Sequence, residues 1–182
     1  GHGYPALQAN LFIEGTLSEF DKSATLNKNG LEYIVKNFSW PYGFPSHSNP
    51  GTPGVILEGG ELGYSLATSY GAVLDNPDLI VACLIGDGEA ETGPTATAWH
   101  INKFIDPGVN GAVLPILHLN GYKISGPTIF GRMSNKELRN LFCGYGYEPL
   151  IVEGNSIYNK MINALDYSYK KIKIIQKNAR KK

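Results

Sequence analysis

The 182 residues are 42% hydrophobic and 18% charged, with no net formal charge. That balance excludes disordered, fibrous and collagen-like chains and suits one domain or a large piece of one. The neutrality hides an asymmetry, because Lys170, Lys171, Lys173, Lys177, Arg180, Lys181 and Lys182 hold seven of the sixteen basic residues, leaving 9 basic against 16 acidic in the first 169.

The chain opens Gly1-His2-Gly3 without Met and reads as a cut edge. Residues 1–60 are rich in Gly, Pro, Ser and Asn and read as a loop-rich segment. Helical period shows only from Gly30 to Phe38, where Leu31, Ile34, Val35 and Phe38 share a face. Residues 40–54 form a long irregular stretch of the kind that carries function in enzymes.

From residue 61 to 182 the pattern is that of an α/β core. Glu61 to Leu74 predicts a helix, stopped by Asp75-Asn76-Pro77. Leu79 to Ile85 predicts a buried parallel strand. Thr92 to Phe104 predicts a second helix, with Pro94 tolerated in its first turn. A second strand is expected over 113–119. Ser134-Asn135-Lys136-Glu137 is a capping box that opens a helix to about Phe142. Pro149 to Val152 predicts a third strand. From Ser156, the spacing of Ile157, Met161, Leu165, Tyr169, Ile172 and Ile175 predicts the core face of a long helix. Helices alternating with strands imply a parallel sheet with flanking helices and right-handed crossovers.

Cys83 falls inside a predicted strand and reads as a small buried hydrophobe. Two isolated cysteines make neither a disulfide framework nor a metal site, and a reducing cytoplasm fits them best. No apolar run of about 18 residues and no leader pattern is present, so no membrane span or secretion signal is expected. The basic tail lies on a helical pattern with few aromatics. It reads as a solvated helix end and not as a nucleic-acid contact.

The chemistry-bearing residues gather at predicted strand ends. Gly86-Asp87-Gly88 follows the first strand, and Asn120-Gly121-Tyr122 follows the second. Ligands of open α/β sheets bind beyond the carboxyl ends of strands. Asp87 and Asn120 could put two hard oxygens on one Mg²⁺, which also favours phosphate oxygens. The pair looks like the diphosphate-binding motif of thiamine diphosphate enzymes. The local alternatives are that Asp87 caps the next helix and Asn120 makes a turn with Gly121.

Other candidates carry paired readings too. Gly59-Gly60-Glu61-Leu62-Gly63 can let backbone approach a flat ring or a phosphate, or can simply be a tight turn. Glu89 and Glu91 can relay protons near the metal, or can favour the first turn of a helix. His2 and His47, in Gly/Pro/Ser-rich loops, can act as acid and base, or can be surface residues. His100 is taken as structural or surface. His118 lies two residues before Asn120, facing a cofactor or the core.

At the level of whole motifs the chain resembles the phosphoketolases, which act on xylulose 5-phosphate and fructose 6-phosphate. The motifs are Gly1-His2-Gly3, Phe44-Pro45-Ser46-His47, Glu58 to Ser65, Asp75 to Asp78, Gly86-Asp87-Gly88-Glu89-Ala90-Glu91-Thr92-Gly93-Pro94 and Leu117-His118-Leu119-Asn120-Gly121-Tyr122-Lys123-Ile124. The likeness runs from residue 1 to about 152. It departs from the family pattern at Leu57, where His stands before Glu-Gly-Gly.

The resemblance implies an incomplete thiamine diphosphate-binding fold over 1–182, part of the diphosphate-binding domain of a longer enzyme. That enzyme would cleave a ketose phosphate with inorganic phosphate to give acetyl phosphate and an aldose phosphate. Asp87, Asn120 and the Tyr122 carbonyl would hold Mg²⁺. Gly86, Gly88, Glu89 and His118 would line the cofactor site, and Gly60 and Leu62 would lie against the aminopyrimidine. His2 and His47 would be catalytic. The Glu that activates the aminopyrimidine, and a homodimer or higher oligomer, would belong to the full-length enzyme, with no nucleic-acid or membrane partner. A transketolase-like enzyme of other specificity and a non-catalytic remnant are the competing readings.

Overall fold

The computed structural model describes residues 3–181, and the chain divides into two compact units between Glu61 and Leu62. The first unit is more helical than its composition suggests. It contains α1 (Tyr4–Ile13), α2 (Thr16–Phe20) and α3 (Lys28–Asn37). Pro5 sits in the first turn of α1, where its missing N–H costs nothing. Helix α1 buries Tyr4, Gln8 and Leu11, at spacings of four and three. Apolar residues on its other faces blur that periodicity, which is why the sequence reads as loop. Helix α3 is capped by the Asn27 side chain, which accepts from the Gly30 N–H at 3.1 Å. It buries Gly30 and Ile34, while Leu31 and Val35 of the expected face stay exposed. Leu11, Leu17, Ala24 and Ile34 form this unit's core.

The second unit is built on two parallel strands, β1 (Ile80–Gly86) and β2 (Ala112–His118), paired from Ile80 opposite Ala112 to Gly86 opposite His118. Helix α4 (Ser65–Val73) packs on β1 through the fully buried Leu66 and Val73. It begins four residues later than the sequence predicts. Gly63 at φ +98° cannot continue a helix. At the other end, the Asp75 N–H donates to Asn110 Oδ1 at 3.0 Å.

The connection between the strands is not one helix. It runs as α5 (Asp87–Ala90), α6 (Gly93–Ala98) and a 3₁₀ turn over Trp99–Lys103. The Tyr147 hydroxyl donates to the Trp99 carbonyl at 3.2 Å. That bond sits at the point where the α-helix gives way to the tighter 3₁₀ turn. The Trp99 ring is buried, and its indole N–H donates to the Ala90 carbonyl at 3.1 Å.

A short hairpin, β3 (Tyr122–Lys123) with β4 (Gly126–Pro127), follows β2. Next comes α7 (Asn135–Gly144), opened by the complete Ser134–Glu137 capping box. The box holds the Glu137 carboxyl below its ordinary value, through the Ser134 backbone and side-chain bonds.

The predicted third strand is absent. Residues 149–152 carry no regular structure and join no ladder among the described residues. Pro149 has no N–H to give, and Arg139 takes its carbonyl at 3.1 Å. The fold is therefore mixed α/β, mostly helical, with a small two-stranded parallel sheet.

The last helix, α8 (Ile157–Ala179), forms as expected, but its core face is misread. Met161 and Ile172 are half-buried, whereas Ile157, Leu165, Tyr169 and Ile175 are exposed. Gln176 is the buried residue and donates to the Pro77 carbonyl at 3.0 Å. Arg180 pairs with Asp78 and Lys170 with Asp166. With Lys171 on Glu148, three of the seven basic tail residues meet carboxylates of this chain. No helix of the described residues is long and apolar enough to cross a membrane.

Cys83 is buried in β1, and burial pushes its thiol up, as suits a core residue. The Tyr70 hydroxyl bonds Tyr147 at 2.5 Å, and burial raises it to about 12. These assignments separate two leucines. Leu66→Ala should cost about 2–5 kcal/mol through the cavity it leaves, while Leu165→Ala should stay within about 0.5 kcal/mol. Denaturant midpoints at unchanged slope measure both.

Candidate active site

Asp87 stands where β1 ends and α5 begins. Its side chain is fully buried. A buried carboxylate is costly unless donors surround it, and three do. Oδ1 accepts from the Gly88 N–H at 3.1 Å. Oδ2 accepts from the Gly121 N–H at 2.8 Å and from the Thr128 hydroxyl at 2.7 Å. The loop after β2 is thereby drawn onto the end of β1. Asn120, the exposed residue before Gly121, turns its Oδ1 to the Tyr122 N–H at 2.9 Å. Asn120 thus makes the expected local turn, whereas Asp87 makes no side-chain cap at α5 and bonds locally only to the next residue.

The donor set fits Mg²⁺ in kind. A carboxylate offers about four acceptor positions, and three are used on Asp87. An amide oxygen offers two, and one is used on Asn120. With the Tyr122 carbonyl these are hard oxygens of the type Mg²⁺ selects. Among the described residues no cluster of three or more His, Cys, Asp or Glu could hold a metal. The oxygens Asp87, Asn120 and Tyr122 could offer are one carboxylate, one amide and one backbone carbonyl. At Gly88, a Cβ would come within 3.1 Å of the Lys123 Cβ, a tight contact that glycine avoids. Around Gly86 an added Cβ would meet nothing within 4 Å, an open space at the strand end.

The two glutamates divide their work. Glu89 accepts from the N–H groups of Gly63 and Ser65, both at 3.2 Å. The helix start that the sequence offered to an anion is thus taken by the chain's own carboxylate. Glu91 reaches forward instead. Its side chain, 5% exposed, pairs with Lys123 Nζ at 2.7 Å. Its other oxygen accepts from Ile129 N–H at 2.6 Å and from Phe130 N–H at 3.3 Å. Thr128 and the role of Glu91 as an anchor for the 123–130 segment are what sequence reasoning missed. The contacts that matter, Glu91 to Lys123 and Thr128 to Asp87, span 32 and 41 residues, beyond any local signal.

His118 is exposed at the end of β2, opposite Gly86, and is not a core histidine. His100 is exposed, with its ring edge-on to Tyr145. Leu62 is 55% exposed at the start of the second unit.

In the first unit, an open cavity of about 420 Å³ is lined by Trp40, Phe44, His47, Glu58 and Gly60 among others. His47 is half-buried, with Nδ1 3.0 Å from the Ser46 hydroxyl. The N–H groups of Gly60 and Glu61 both go to the Glu58 carboxylate. Phe44 packs edge-on to Tyr33, while Trp40 is exposed. His2 lies outside the described residues.

Comparison with known proteins accords with the motifs. Residues 1–182 match the XFP N-terminal domain family. The chain belongs to that family. It is 58% identical to a probable phosphoketolase of Synechococcus elongatus, covering 99% of this chain and 23% of that protein. Probable phosphoketolases of Rhodopseudomonas palustris and Bradyrhizobium diazoefficiens are 56% and 55% identical with the same coverage. The chain thus spans less than a quarter of the length of these relatives.

The Glu91 contacts make a direct prediction. Glu91→Ala should leave the amides of Ile129 and Phe130 without their acceptor, and loss of such a bond costs about 1–3 kcal/mol where the donor is buried. Hydrogen exchange should quicken at both amides and stay unchanged in α8.

Proposed function

We propose that this chain is the diphosphate-binding portion of a thiamine diphosphate-dependent phosphoketolase with a thiamine diphosphate-binding fold. The observation that carries the reading is Asp87, buried at the end of β1 and bonded to the loop that holds Asn120 and Tyr122. Whole-chain family membership supports it. The full-length enzyme would take a ketose phosphate and inorganic phosphate to acetyl phosphate and an aldose phosphate, as a cytoplasmic homodimer or higher oligomer.

Asp87, Asn120 and the Tyr122 carbonyl would hold Mg²⁺ and, through it, the diphosphate. Gly86 and Gly88 would let the backbone approach that diphosphate, and Glu89 would keep Gly63 and Ser65 in place beside it. His118 would face the cofactor from the end of β2. Gly60 and Leu62 would lie against the aminopyrimidine. When bound, thiamine diphosphate supplies the electron sink for breaking the sugar C2–C3 bond. His47, with His2, would move protons during loss of water and phosphate capture.

Three measurements test this. In the full-length protein, Asp87→Ala should weaken Mg²⁺-dependent thiamine diphosphate binding by more than the roughly 10–100-fold typical of a lost outer partner. Unchanged affinity in calorimetry would reject the metal assignment. His47→Ala should lower turnover by about 10²–10⁴-fold, the usual size of acid–base catalysis, with cofactor affinity little moved. His100→Ala should change neither, and equal effects of the two substitutions would sink the role given to His47. The 182 residues alone should make no acetyl phosphate, since the activating Glu is expected in a segment they do not include. Acetyl phosphate formed by them with xylulose 5-phosphate, phosphate, Mg²⁺ and thiamine diphosphate would overturn that expectation.

A further inference from the structure

Thr128 is fully buried and makes three hydrogen bonds, one of them to the candidate metal carboxylate. Its hydroxyl donates to Asp87 Oδ2 at 2.7 Å and accepts from the Gly131 N–H at 3.0 Å. Its own N–H donates to the Gly121 carbonyl at 3.0 Å. Gly121 in turn sends its N–H to the same Asp87 oxygen at 2.8 Å. Asp87, Gly121 and Thr128 thus form a closed ring of bonds. The backbone seals it, since a Cβ on Gly131 would fall 2.5 Å from the Gly121 Cα and 2.8 Å from the Thr128 hydroxyl oxygen.

Two consequences follow for the carboxylate. Both polar contacts on Oδ2 come from this ring, so Oδ2 is spoken for and Oδ1 is the oxygen with acceptor capacity left. A hydroxyl that already accepts from Gly131 has its proton directed at Asp87, which fixes the rotation of the carboxylate plane. Partners of this kind orient metal ligands and are worth about 10–100-fold in metal affinity.

We propose that Thr128 is a positioning residue for Asp87, holding Oδ2 so that Oδ1 is presented to Mg²⁺ beside Asn120. The inference rests on the metal role given to Asp87 above. It makes Thr128, forty-one residues from Asp87 in the chain, part of the cofactor site without touching the cofactor.

The test is calorimetric titration of Mg²⁺ with thiamine diphosphate into the full-length protein carrying Thr128→Val, Thr128→Ala, Thr128→Ser or Asp87→Ala. Thr128→Val and Thr128→Ala should each weaken Mg²⁺ about 10–100-fold, and Thr128→Ser, which keeps the hydroxyl, should stay within about threefold of the parent, well inside that effect. If Thr128→Val does not fold, Thr128→Ala alone decides, because it adds no methyl against Gly131. Affinity within about threefold of the parent in Thr128→Ala, while Asp87→Ala has lost binding, overturns the positioning role and leaves the metal reading intact. Equal losses in Ser and Ala variants also overturn it, because the hydroxyl would then not be the cause. Unchanged binding in Asp87→Ala removes the metal reading itself.

Discussion

A carboxylate buried at the end of a parallel strand must collect donors or give up its charge, and Asp87 collects them from the second strand's loop. Gly121 N–H and the Thr128 hydroxyl both converge on Oδ2. The parallel register makes this reachable, because Gly86 lies opposite His118 and the next residues of each strand leave the sheet together. Burial strengthens each of these bonds by lowering the local dielectric, and raises the cost of breaking any one of them.

Glu91 repeats the device four residues later. It draws in Lys123 and the backbone of Ile129 and Phe130, so residues 121–130 are held along their length by two carboxylates. Phe130 then enters the aromatic core with Phe142, to which Trp99 and Tyr147 are also joined edge-on. Polar anchoring and apolar packing meet at one residue. The loop that carries Asn120 and Tyr122 is therefore braced from both sides, as a site needing fixed ligand geometry requires. Glu89 acts in the other direction, occupying the start of α4 where an anion would otherwise bind. Negative charge at that helix start is already supplied by the protein.

The sequence by itself determined the elements whose signals are local. The β1 and β2 strands, the capping box at Ser134 and the stop at Asp75-Asn76-Pro77 come from runs, spacings and turn residues within a few positions of one another. The Gly86-Asp87-Gly88 and Asn120-Gly121-Tyr122 motifs were legible for the same reason, and with them the family. Helix α1 was not, because its apolar residues surround the helix and leave no clear period. Tertiary structure alone decided the rest. The long-range Tyr147 bond to the Trp99 carbonyl accompanies a 3₁₀ turn where a helix was expected, and the Arg139 bond to the Pro149 carbonyl accompanies the loss of an expected strand. Which stripe of α8 faces inward was set by what it packs on, not by its own heptad-like spacing. Thr128 and the partners of Glu91 could not be found by spacing, since a hydrogen bond between residues 38 or 41 apart leaves no mark on either residue's neighbours. Local chemistry writes itself into sequence pattern, while long-range contacts exist only once the chain has folded.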